Sequence, residues 1–188
     1  LKNLSKLPLY QSAFITFFVI MILIALLPYG YRIYKSHYVA IKGSATIYHE
    51  QYQTGRFIKK YYNGHTVAIN DIGAPSFLAD IKIVDFYGLA TKEVTKATKE
   101  GYFTTDFIEK ISLEKGASIA MVWEPIVDNP APESWFKCGE VVFDEGIKLD
   151  NHTISIFAID PDETELLRIN IEDFNAFLPK GVRYQVIN

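Results

Sequence analysis

The sequence predicts an α/β fold, a layered mixed sheet with flanking helices, preceded by one transmembrane helix. Three observations carry this expectation. Ala13 to Leu27 (AFITFFVIMILIALL) is apolar apart from Thr16, and it lies within 25 uncharged positions between Lys6 and Arg32. From Ile47 to Trp123, stretches of helical spacing alternate with short β-prone runs, the order that builds parallel strands joined by crossover helices. After Glu124 the pattern becomes strands separated by turn residues, an antiparallel extension of the sheet.

The apolar stretch comes first in the chain. A helix needs roughly 20 apolar residues to cross about 30 Å of hydrocarbon, and this stretch is long enough. Tyr10, Tyr29 and Tyr31 sit at its ends, where an aromatic belt belongs. A cleavable signal peptide has a shorter apolar core, about 7 to 15 residues, followed by small residues, and Pro28-Tyr29-Gly30-Tyr31-Arg32 matches that poorly. The chain opens with Leu1 and not Met, so the sequence is expected to be the last span and tail of a longer membrane protein. Lys2 and Lys6 before the span nearly balance Arg32, Lys35 and Lys42 after it, a count that leans slightly toward a cytoplasmic soluble part.

Charge divides the chain at the same place. Residues 1–40 hold four basic residues and no acid, whereas 41–188 hold 15 basic and 22 acidic residues, a net −7 hidden in an overall −3. The expected domains are therefore 1–40, a transmembrane helix and juxtamembrane neck (Arg32 to Lys42), and 41–188, a soluble α/β domain.

Within that domain, Ile47 to Tyr62 reads as an amphipathic helix ended by Asn63-Gly64. Thr66 to Ile69 is a strand, Ala74 to Ala79 a short helix with Pro75 in its first turn, and Lys82 to Phe86 a second strand stopped by Gly88. Thr91 to Lys99 is helix-prone, and Thr104 is placed to cap a helix through Lys115 with Phe107, Ile108 and Ile111 on its face. Ser118 to Trp123 is almost continuously apolar, as suits a strand covered on both faces. Pro125, Pro130 and Pro132 predict an irregular, exposed loop. Cys138 to Asp144 and Thr153 to Asp160 read as strands, with turns at Asp144-Glu145-Gly146 and Asp150-Asn151. Glu163 to Leu178 reads as a helix, with Leu166 to Ile171 open to a strand assignment, and Val182 to Ile187 as a final strand.

Several function classes find no support. Cys138 is the one cysteine, so neither an internal disulfide nor a cysteine-based zinc site can form. A domain at −7 lacks the basic face that nucleic-acid binding needs. His37, His49, His65 and His152 show no metal-binding spacing, His49-Glu50-Gln51 reads as a solvated polar turn, and no serine sits in a G-x-S-x-G elbow. There is no GxGxxG fingerprint or P-loop. Asn3-Leu4-Ser5 and Asn151-His152-Thr153 fit the N-glycosylation pattern, a common chance match.

The candidate site is Asn70, Asp71 and Gly73, with Asp85 beside them. Asn70-Asp71-Ile72-Gly73 puts an amide, a carboxylate and a glycine at the carboxyl end of a strand, where open α/β sheets bind ligands. The simpler assignment has Asn70 and Asp71 capping the next helix and Gly73 allowing a tight turn. Asp85 repeats the arrangement one strand later. If the strands are parallel neighbours, Asp71 and Asp85 share an edge, as an acid and base pair or a cation site would require. Trp123 and Trp135 flank the proline loop and could stack on a carbohydrate, with core packing the simpler assignment for Trp123.

The run Val67-Ala68-Ile69-Asn70-Asp71-Ile72-Gly73-Ala74, about ten residues, then Asp85-Phe86-Tyr87-Gly88-Leu89, resembles the C-terminal extracytoplasmic domain of multi-span GT-C glycosyltransferases. These are bacterial membrane enzymes that use polyprenyl-phosphate sugars, and the resemblance covers roughly residues 47 to 123. It departs at Pro75-Ser76-Phe77-Leu78, where the family's aromatic is displaced. The resemblance implies transfer of a sugar from a polyprenyl-phosphate donor to a cell-envelope glycan acceptor, with this domain outside the cytoplasm on the bacterial cell membrane. The family's catalytic acid lies in a first external loop that these 188 residues do not contain, so no catalytic residue carries over. No cofactor is expected in this segment, and a divalent cation would belong to the full-length enzyme. The competing class is a non-enzymatic, single-span envelope protein with a binding or scaffolding domain.

Overall fold

The computed structural model describes residues 9–144 and 153–187. It forms two compact units, Leu1–Lys42 and Gly43–Asn188. The described residues of the first unit all belong to helix α1, Leu9–His49, whose last turns belong to the second unit. Among the described residues it is the one helix long and apolar enough to cross a membrane. Its side chains from Phe14 to Leu27 are exposed, an apolar surface that water disfavours and hydrocarbon does not.

The helix runs through the expected neck. Pro28 removes one hydrogen bond, and Gly30 and Gly43 cost about 1 kcal/mol each relative to alanine, losses that a 41-residue helix absorbs. The break falls instead at Glu50, between α1 and α2 (Gln51–Tyr61).

The second unit is a six-stranded mixed sheet. Its strands are β1 (Thr66–Ile69), β2 (Lys82–Asp85), β3 (Ala117–Glu124), β4 (Phe136–Phe143), β5 (Thr153–Ala158) and β6 (Val182–Val186), in the order β2-β1-β3-β5-β4-β6. The first three strands of that order are parallel, and β5, β4 and β6 add the antiparallel half. The crossovers are α3 (Gly73–Leu78) between β1 and β2, and α4 (Lys92–Glu100) with α5 (Thr105–Glu114) between β2 and β3. Helix α6 (Thr164–Phe174), flanked by 3₁₀ turns, precedes β6.

Strand periodicity sorts the core into two layers. Val67, Ile69, Ile119, Met121, Ile154 and Ile156 meet Phe57 and Ile58 of α2 and Leu167, Ile171 and Phe174 of α6. Ala68, Ala120, Val122 and Phe157 face the other way, onto Ile108 and Ile111 of α5 and onto Phe86 and Trp135. β3 contributes to both layers, which explains its unbroken apolar run. Thr104 caps α5 as its spacing predicts, accepting from Phe107 N–H at 3.3 Å. At Gly55 a Cβ would lie 2.8 Å from Leu78 and 3.1 Å from the Ala74 backbone, so α2 and α3 meet at a residue without a side chain.

Leu166 to Ile171 is helical, as the main assignment of Glu163 to Leu178 has it and not the strand left open, with Leu167 and Ile171 on its buried face. The proline segment is anchored, not exposed throughout: Ile126 is fully buried, Trp135 nearly so, and Ile126 and Asn129 exchange backbone hydrogen bonds at 2.7 and 3.0 Å. Apolar side chains within the loop outweigh its prolines. The turns expected at Asp144-Glu145-Gly146 and Asp150-Asn151, and the triplets at Asn3 and Asn151, fall wholly or partly outside the described residues.

Candidate functional site

Each of the three parallel strands has a carboxylate at or just beyond its carboxyl end: Asp85 closes β2, Glu124 closes β3, and Asp71 lies two residues past β1. Ile69 of β1 pairs with Asp85 of β2 and with Met121 of β3, so Asp85 is level with the end of β1 and Glu124 lies three residues further along its strand. Their surroundings differ.

Asp85 is fully buried. Its Oδ1 accepts from Tyr87 N–H at 2.9 Å and its Oδ2 from Ala90 N–H at 2.7 Å, while its own N–H donates to Thr91 Oγ1 at 2.9 Å. The carboxylate thus organises the whole β2–α4 loop. Gly88 completes it with a φ of +75°, and a Cβ there would lie 2.8 Å from the Thr95 backbone nitrogen. The spacing Asp85-x-x-Gly88 has a structural cause, a buried acceptor followed by a left-handed residue against the first turns of α4.

Asn70 is also buried, and its Oδ1 accepts from Trp123 N–H at 2.8 Å, tying the end of β1 to the end of β3. Asp71 is part-exposed, and its Oδ1 accepts from Gly73 N–H at 3.1 Å, covering one amide at the start of α3. Gly73 opens α3 in helical conformation, so no left-handed turn requires glycine there. Asp71 and Asp85 share the edge as the parallel pairing requires, but both Asp85 oxygens are engaged within its own loop. Among the described residues no three His, Cys, Asp or Glu side chains gather as a metal site.

Glu50 was not singled out by the sequence, where it reads as part of a solvated turn. It is in fact buried, and it accepts from the indole N–H of Trp123. Burial pushes the phenol of Tyr184 up, and the Glu50 charge adds to that shift. A sequence signal exists: Glu50, at the N-cap of α2, lies four residues before buried Thr54 and seven before buried Phe57, in line with the inward face of that helix. Glu50, Thr54, Asn70, Asp71 and Trp123 line a cavity of about 20 Å³, room for one water and far too small for a sugar ring.

A larger ligand must therefore meet the outer rim. There Tyr87 packs edge-on against Trp123, with ring centroids 6.0 Å apart. Burial raises the Tyr87 phenol above its ordinary range, and the nearby carboxylates of Asp71 and Asp128 raise it further. Asp128 reaches that position through a strained turn: Val127 and Asp128 have φ of +45° and +67°. A β-branched residue in the left-handed region costs on the order of 1–3 kcal/mol, here offset by packing of Val127 against the core. The two tryptophans divide the roles, with Trp135 in the core and Trp123 half-buried at the rim.

Residues 44–164 match the domain family of unknown function DUF8728. This chain belongs to that family. The DUF8728 match runs from the last turn of α1 to the first residue of α6 and takes in the entire carboxyl edge. Comparison with curated proteins and with solved structures gives no match. Of the candidate residues in this DUF8728 domain, Asn70 and Asp85 are buried in its framework, Gly73 opens α3, and Asp71 reaches the rim.

Proposed function

We propose that this chain is the C-terminal part of an integral membrane glycosyltransferase, which moves a sugar from a polyprenyl-phosphate donor to a cell-envelope acceptor. Its α/β domain contacts the acceptor glycan outside the cytoplasm. The observation that carries this reading is the rim itself: Tyr87 packed edge-on against Trp123 at the carboxyl edge of parallel strands, with Asp71 and Asp128 near enough to act electrostatically on the Tyr87 phenol. Aromatic faces take the C–H faces of a sugar, and flanking carboxylates accept from its hydroxyls. The N-D-I-G-A and D-x-x-G-L segments support the reading, since they build adjacent loops of this one edge. The chemical step belongs to residues outside this segment.

The test is sugar transfer in membranes carrying the full-length protein. Asp71→Ala and Tyr87→Ala are each expected to lower transfer about tenfold at normal expression, the loss of one or two charged hydrogen bonds or of one stacking contact. Normal transfer in both variants would overturn the rim assignment. Glycan binding by a protein without transferase activity would favour the single-span anchor instead.

A further inference from the structure

A second surface of the domain has the opposite charge character. Arg56, Lys59 and Lys60 of α2, with Phe174 of α6 and Phe177 of the following 3₁₀ turn, line a recess of about 390 Å³. That volume lies in the range of small-molecule sites, roughly 300–1,000 Å³. Three cations converge there with one carboxylate, Asp173, in a domain whose net charge is −7.

Two of its cations, Arg56 and Lys60, are held in place. Lys60 Nζ donates to Asp173 Oδ2 at 2.9 Å and lies 4.4 Å from the Tyr61 ring centroid and 4.6 Å from that of Phe177. The Tyr61 hydroxyl donates to the same Asp173 oxygen. Arg56 lies 5.9 Å from the Phe174 ring, and its Nη1 donates to Gln53 Oε1 at 2.8 Å and to the Phe177 carbonyl at 3.0 Å. The Nε and Nη2 donors of the guanidinium are left for another acceptor. Among the described residues Lys59 is paired with no carboxylate. Complementing the dipole at the C-terminus of α2 would account for Lys59 and Lys60. It accounts neither for Arg56 nor for the half-exposed ring of Phe177 on the recess floor.

We propose that this recess binds a phosphate ester whose phosphate meets Arg56 and Lys59 and whose apolar or ring-shaped body lies on Phe177. Arg56, held by two hydrogen bonds, supplies an anion contact at little ordering cost, Lys59 adds a second charge, and the ring supplies a face for the body. This site is distinct from the strand-edge rim and does not depend on the glycosyltransferase reading. The phosphate could arrive on a soluble ester or on a lipid headgroup.

The experiment uses the full chain in zwitterionic nanodiscs, with backbone and side-chain NMR shifts as the readout. Phenyl phosphate is expected to give saturable shifts at Arg56, Lys59 and Lys60 and to bind more tightly than inorganic phosphate. Lys59→Ala should weaken it about fivefold, whereas Lys110→Ala, removing an exposed cation of α5, should leave it unchanged. A parallel sample with phosphatidic acid in the disc separates the sources: shifts there without soluble ligand mean a lipid headgroup, and shifts with phenyl phosphate alone mean a soluble ester. Either result supports the site. No saturable shift in both samples, or equal weakening by Lys59→Ala and Lys110→Ala, overturns it.

Discussion

The ends of β1 and β2 carry the same chemical pattern and use it in opposite ways. Asp85 turns its carboxylate inward and closes its own loop with two amide bonds, whereas Asp71 covers one amide and keeps its charge at the surface beside Tyr87. A carboxylate at the carboxyl end of a strand is thus not a site by position alone. What separates the two is the number of backbone donors that reach each side chain, and that number depends on the loop that follows. The β2–α4 loop folds back over Asp85, while the β1–α3 connection passes directly into helix.

The largest break in this comparison is expected from Asp85→Ala. It removes the buried carboxylate that the Tyr87 and Ala90 amides share, two charge-assisted bonds that close a loop whose other residues are largely exposed, a loss of about 3 kcal/mol by chemical denaturation. Asp71→Ala, which removes a single part-exposed hydrogen bond, should cost less than about 1 kcal/mol. Equal losses would mean that the two strand ends are structurally equivalent. Next is Gly88→Ala, which combines a positive φ with a Cβ 2.8 Å from the Thr95 backbone nitrogen. A loss of about 2 kcal/mol is expected in the same measurement, because both the strain and the close contact fall on backbone.

The sequence made the framework of this edge legible but not its use. Alternation in Val67-Ala68-Ile69 and Ile119-Ala120-Met121-Val122 is a local property, and so is the capping chemistry at Thr104, so strands and helices could be placed within a few residues. Burial of a carboxylate is not local. Glu50 is buried because Trp123 meets it from 73 residues away, and Asp85 because its loop wraps it. The recess on α2 was invisible for the same reason: Arg56 and Phe177 are 121 positions apart and meet only after the sheet has formed.

A smaller effect sharpens the role of the rim. Asp128→Gly removes a carboxylate from beside Tyr87 and a side chain from a φ of +67°. Thermal denaturation should show no loss and a gain of up to about 1 kcal/mol, since glycine adopts that conformation freely. Glycan transfer should fall in the same variant. A gain in stability with a loss of function is what a strained binding residue produces, whereas a loss of both would make the turn purely structural.

The smallest effect concerns the third strand end. Glu124 Oε2 accepts from Ser155 Oγ at 2.6 Å and from Lys137 Nζ at 3.0 Å, an arrangement between the internal closure of Asp85 and the exposure of Asp71. Burial pushes its carboxyl up, but the bonds from Ser155 and Lys137 outweigh burial and hold it below the ordinary value of 4.5. A carboxylate lowered on folding stabilises the protein above its unfolded pKa, and that stabilisation is lost as pH falls through the folded value. The contribution is therefore complete at pH 6 and disappears in the acid range below 4.5. Because Glu124 and Lys137 side chains are 35% and 33% exposed, solvent screening keeps it to roughly 0.5 kcal/mol or less. Denaturation of wild type and Glu124→Gln at pH 6 and at pH 3 tests this: the two should differ at pH 6 and converge at pH 3. A constant difference across that range would mean that Glu124 acts through shape and hydrogen bonding alone, which would group it with Asn70 as an uncharged tie between strands.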